Sequence, residues 1–145
     1  MPAASRTEIY EIGLEPFYNT IIDYKSYPEF VDQLRSVRVL KHSETDARVK
    51  FTLHLIREVQ YTLDLVHEYP HRVAWTLVKS DLFRKMDGAW DLKPKGKRKL
   101  QVTYSADVEA NVLAPKFIVR QLVSHSLPRM MQTFYERAQQ NMSAV

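Results

Sequence analysis

The sequence predicts an α+β fold: a curved antiparallel sheet of about six to seven strands wrapped around a long C-terminal helix, with two short helices after the first strand. Three observations predict it. Between residues 37 and 110 apolar and polar residues alternate in short runs, the period of half-buried strands. Polar turns such as Ser43-Glu44-Thr45-Asp46 and Tyr69-Pro70-His71 join consecutive runs, which implies an antiparallel meander. From Pro115 to Met142 the period changes. Val119, Val123, Leu127, Met130, Met131, Phe134, Ala138 and Met142 recur at the three-and-four spacing of one helical face.

Thr7 to Ile12 alternates as a short edge strand ended by Gly13, and Pro16 opens a short helix reaching about Asp23. Phe17, Ile21 and Tyr24 share one side of that helix. Tyr27-Pro28-Glu29-Phe30-Val31 reads as a second brief helical piece with Phe30 and Val31 turned inward. Strands follow at Val37–Lys41, Arg48–Ile56, Val59–Tyr69, Arg72–Ser80, Phe83–Leu92 and Leu100–Ala110. Pro94 and Gly96 mark Lys93 to Lys99 as a hairpin loop. In the closing helix Pro115 suits a first turn. Pro128 predicts a kink, because its ring removes the bond to the Ser124 carbonyl.

A chain of 145 residues fits one domain with a real core. No apolar run reaches the ~20 residues that span a bilayer. The start, MPAASRTEIYEIG, lacks the apolar region of a secretory signal, so a cytoplasmic protein is expected, with peripheral contact at the inner membrane face as an extension. The chain has no cysteine, which excludes disulfides, thiolate metal sites and cysteine nucleophiles. The net charge of +4 is uneven: through Leu82 there are ten Lys/Arg against twelve Asp/Glu, and from Phe83 eleven against five. A basic C-terminal part suits an anionic partner, though a mildly basic soluble surface is the simpler explanation.

Catalytic patterns are missing. Glycine occurs only at 13, 88 and 96, which leaves no phosphate-cradling loop and no GxSxG elbow. Among His42, His54, His67, His71 and His125 there is no HExxH, and Pro70 prevents His67 and His71 from forming a helical metal pair. His54 and His125 fall on polar faces and read as solvated. No metal, cofactor or catalytic residue is expected.

The strand and helix patterns place a large, soft set of side chains inward. It comprises Phe51, Leu53, Tyr61, Leu63, Trp75, Leu77, Met86, Trp90 and Tyr104 from the strands, and Leu127, Met130, Met131 and Phe134 from the helix. Such sets ordinarily fill a core. Two features point toward a cavity instead. Adjacent Met130 and Met131 suit a wall that repacks around a guest. Gly88, inside a strand, leaves room for another group to approach. The polar candidates nearby are Tyr61, His67, Tyr104 and Asp87, the last on the outer strand face.

Asp23-Tyr24-Lys25-Ser26-Tyr27-Pro28-Glu29-Phe30-Val31, followed by Val37-Arg38-Val39-Leu40, resembles START-like (SRPBCC) proteins. More narrowly it resembles their polyketide cyclase/dehydrase and coenzyme Q-binding branch. Phe83-Arg84-Lys85-Met86-Asp87-Gly88-Ala89-Trp90-Asp91-Leu92-Lys93-Pro94 is similar to the same branch, ahead of the Thr103-Tyr104 strand and the closing helix. The resemblance spans nearly the whole chain. It implies a helix-grip fold and an apolar ligand such as a lipid, quinone or polyketide, held between sheet and helix by the inward set. It also leaves open a cyclase or aromatase and a ribosome-associated interaction protein. Asp32 stands where the branch often has proline. Lys95, Lys97, Arg98 and Lys99 make the hairpin tip unusually basic, a possible contact for anionic lipid or, less readily, RNA, since no aromatic residue interleaves. Most such tips are solvated turns.

Overall fold

The computed structural model describes residues 3–54, 57–111 and 127–143. Its strands are β1 (Ala3–Tyr10), β2 (Leu34–His42), β3 (Asp46–His54), β4 (Glu58–Glu68), β5 (Arg72–Ser80), β6 (Phe83–Gly96) and β7 (Lys99–Ala110). They form one seven-stranded antiparallel sheet in the order β1-β7-β6-β5-β4-β3-β2. Helix α1 (Leu14–Ile22) and a 3-10 helix (Tyr24–Glu29) connect β1 to β2. Helix α2 (Leu127–Ser143) packs on the concave face. This is the helix-grip arrangement. The expected helical turns from Pro115 through His125, and the Ser124 carbonyl opposite Pro128, lie outside the described residues.

Local chemistry moves several boundaries. The first strand ends at Tyr10, where the Ile12 N–H turns back to the Tyr10 carbonyl at 3.1 Å. Helix α1 begins at Leu14, before Pro16, because proline is tolerated anywhere the first-turn N–H groups lack partners. Glu15 there favours the positive end of the helix. Tyr24 belongs to the 3-10 helix, not to α1. The loop expected over Lys93–Lys99 is mostly strand. β6 continues to Gly96 and β7 starts at Lys99, with a register shift between Pro94 and Gly96 that accommodates proline in the ladder.

The alternation read from β3 and β4 matches the observed sides. Val49, Phe51, Leu63 and Leu65 are buried, while outward Arg48 meets Asp64 across the strand pair at 2.6 Å. Val49 pairs with Leu63 and Leu63 with Leu77, so one inward row crosses three strands. At the α1 end Phe17, Ile21, Leu100, Val102, Met131 and Ala138 are almost completely buried. Arg137 anchors α2 to the 3-10 helix by its 2.6 Å pair with Glu29 and by stacking over Phe30 at 5.1 Å.

Candidate functional site

A cavity of about 640 Å³ lies between the sheet and α2, within the size range of small-molecule pockets. Phe51 and Leu53 of β3 line it, with Tyr61 and Leu63 of β4, Trp75 of β5, Met86 and Trp90 of β6, and Tyr104 of β7. Helix α2 contributes Leu127, Met130 and Phe134. These are inward positions read from the sequence, and the fold brings them together.

Two expected residues do not line the cavity. Met131 is completely buried in the core, because neighbouring helix positions point about 100° apart and only Met130 can face the space. Leu77 is half-buried on the inward row and packs against the cluster of Val59, Leu82, Phe83 and Val108, off the cavity wall. Gly88 does permit a close approach, but the group that approaches is Trp75. A Cβ at Gly88 would stand 2.5 Å from the Trp75 indole and closer still to the Ser105 carbonyl oxygen.

Ring contacts stiffen most of the wall. Phe51 stacks on Tyr61 at 5.1 Å, Trp90 meets Tyr104 edge-on at 4.8 Å, and Tyr27 meets Phe134 edge-on at 5.1 Å. Met86 and Met130 are the adaptable parts.

Several lining residues lie outside the inward set expected of the cavity: Ile21, Tyr24, Tyr27, Val31, Leu34, Leu65, Val73, Phe83, Ala106 and Val108. A signal existed for the aromatic ones. Tyr24, Tyr27 and Phe30 recur every third residue, the spacing that aligns side chains on a 3-10 helix.

The cavity reaches the surface between α2 and the loop before β2. Asp32, Gln33, Arg129 and Thr133 line that mouth. Asp32 and Arg129 pair at 3.0 Å with side chains 66% and 78% exposed, so the bridge is solvated and weak. Gln33 adopts φ 68°, a left-handed conformation uncommon for residues other than glycine. Its carbonyl accepts the His54 N–H at 2.7 Å, which ties the loop to the end of β3.

Four tyrosines carry the polar chemistry of the interior. Tyr24 donates to His67 Nε2 at 2.8 Å. The His67 Nδ1–H donates to the Ser43 carbonyl at 3.2 Å, an oxygen that can only accept, which fixes the tautomer. Tyr27 donates to the Ile21 carbonyl. Tyr61 and Tyr104 have no hydrogen-bond partner among the described residues, and their hydroxyl oxygens remain open to the cavity. Burial pushes all four hydroxyls well above the ordinary tyrosine pKa, so they are uncharged. Burial also lowers the His67 pKa.

His67 thus braces the 3-10 helix against β4 and the 43–46 turn. Asp87 stays on the outer face, across from Asp107. His54 is exposed, as expected, and His125 lies outside the described residues. No cluster of metal-ligating side chains occurs among the described residues.

Lys95, Lys97, Arg98 and Lys99 are exposed at the β6–β7 tip. Register places that tip at the end of the sheet opposite the mouth. The mouth end is marked by Leu34, paired with Leu53, and by Phe83, paired with Ala110. No described helix is long and apolar enough to cross a membrane.

Comparison with solved structures returns the same architecture. A START superfamily protein from Mycobacterium smegmatis superposes with TM-score 0.82 at 15% identity, covering 95% of this chain and 97% of that one. The Zhui aromatase/cyclase from Streptomyces sp. R1128 gives TM-score 0.82 at 10% identity, over 97% and 94%. A STAR-related lipid transfer protein from Xanthomonas axonopodis gives 0.80 at 10% identity, over 94% and 85%. At these identities the likeness establishes the fold. No curated protein matches the sequence. The family model for polyketide cyclase / dehydrase and lipid transport matches residues 14–135, which takes in everything from α1 to the middle of α2. The chain belongs to that family of START-like proteins.

Proposed function

We propose that this protein binds a hydrophobic small molecule, such as a lipid, quinone or polyketide, in the cavity between the sheet and α2. The observation that carries the reading is the cavity itself, about 640 Å³ and walled by aromatic and aliphatic side chains. Apolar burial at roughly 25 cal/mol per Å² supplies the affinity. Membership of a family whose description includes lipid transport supports the same reading. The likeness to a lipid transfer protein supports only the scaffold.

The interior favours binding over catalysis. A cyclase needs a group that exchanges protons near neutral pH. Among the described residues the cavity offers tyrosine hydroxyls pushed far above it, and one pair of opposite charges, Asp32 with Arg129, at the solvated mouth. The basic tip lies away from the mouth, which favours a solvated turn over a surface that loads ligand from a membrane or meets a ribosome.

Native mass spectrometry of the purified protein, followed by organic extraction, tests the proposal. A co-purifying apolar molecule is expected, and Met130→Trp, which fills the wall, lowers its occupancy several-fold. Absence of any extractable molecule, with no uptake of added lipid or quinone, sinks it.

A further inference from the structure

We propose that Tyr61 and Tyr104 form a polar anchor inside the cavity that selects ligands carrying an uncharged oxygen acceptor over hydrocarbons and over carboxylates. This rests on the cavity being a ligand site and says what that site reads. Tyr61 stands on β4 and Tyr104 on β7, three strands apart in the sheet, and both line the same cavity on its concave face.

The cavity tyrosines then divide by what their protons do. Tyr24 spends its proton on His67 and Tyr27 spends its own on the Ile21 carbonyl. Tyr61 and Tyr104 spend theirs on no described residue, yet burial holds both in the neutral, donating form. Two unpartnered donors in an apolar chamber suit a ligand that carries an uncharged oxygen acceptor. Their rings are fixed by neighbours, Tyr61 by Phe51 and Phe83, and Tyr104 by Trp75 and Trp90, so the donors are held in place before a ligand arrives.

Charge is rejected by the same geometry. Among the described residues the only ionised side chains on the wall are Asp32 and Arg129, and they neutralise each other at the mouth. A carboxylate drawn inside meets no cation among the described residues, and burying it unpaired is costly. A hydrocarbon meets the opposite fault: it leaves two hydroxyls without partners.

Three probes of one shape test the anchor: 2-acetylanthracene, 2-isopropylanthracene and anthracene-2-carboxylate, with affinities read by fluorescence titration. Each runs against the wild type and the Tyr61→Phe/Tyr104→Phe double variant, which keeps both rings. Removing both donors should weaken the ketone about fivefold, one net hydrogen bond's worth. The hydrocarbon should bind no more weakly than before, and the carboxylate should bind the wild type worse than the ketone. The infrared carbonyl stretch of the bound ketone should lie lower in the wild type than in the double variant.

An unchanged ketone affinity and stretch in the double variant overturns the anchor. So does an equal loss for ketone and hydrocarbon, or a carboxylate that binds the wild type as tightly as the ketone. Failure of every probe to bind the wild type overturns the reading of the cavity itself, and the anchor with it.

Discussion

The two ends of the concave face use the same kinds of residue and end in different states. Near α1, Phe17, Ile21, Leu100 and Val102 are at most 1% exposed, and Tyr10, Phe17 and Trp90 meet ring to ring. Toward the mouth, Tyr61, Met86, Tyr104 and Met130 keep part of their surface open, although they too are large and mostly apolar. What differs is how far the described helices fill the space. Helix α1 and the second half of α2 insert side chains at the first end, while at the second Leu127 and Met130 of α2 line open space.

The largest expected effect tests that distinction directly. Phe17→Ala opens a void in a filled region and should cost about 3–5 kcal/mol in denaturant unfolding. Met86→Ala borders space that already exists and should cost under about 2 kcal/mol. Equal losses would erase the contrast.

Gly88 sits at the border between the two ends, where Trp75 lies across its backbone. Gly88→Ala should destabilise the fold by about 1–3 kcal/mol, because a methyl there overlaps the indole and the Ser105 carbonyl. Trp75 must then move into the cavity, so tryptophan emission should shift and ligand capacity should fall. Unaltered emission would show that the close approach is not needed.

The smallest effect concerns the bracing of the cavity's tyrosine-rich side. His67 is held neutral, with a folded-state pKa below its ordinary 6.5. The unfolded chain therefore binds more protons below about pH 6.5, so stability is intact above that pH. It declines as pH falls from there toward the lowered value. His67→Gln should flatten the change in melting temperature between pH 7.5 and pH 5.5, while being less stable throughout. An equal slope in both proteins would assign the decline to groups other than His67.

The strands were the most legible part of the sequence, because a period of two assigns each side chain to a face without reference to the rest of the fold. Phe51, Tyr61, Trp75 and Tyr104 follow from it. The helix was legible as an element but not in its rotation. Met130 and Met131 look alike in the chain, and only packing into the core decides which one faces space: Met131 is completely buried there and Met130 lines the cavity. The mouth was least legible. Asp32 and Arg129 stand far apart in sequence, and nothing in the residue Gln33 announces a left-handed backbone. The hairpin tip misled in a different way, since Pro94 and Gly96 signal a loop wherever they occur, while a register shift lets the ladder run past them.

The pairing of β1 with β7 has a consequence for synthesis. Ala3 lies opposite Asp107 and Tyr10 opposite Leu100, so the first strand made waits for the last before its edge is covered. β2 to β6 can assemble as neighbours while the chain emerges, because each contact spans a short separation. The first strand cannot, and closing its loop late is entropically slow. Until β7 leaves the ribosome, the nascent chain carries an unpaired N-terminal strand and an unfinished sheet, a state open to pairing with other chains.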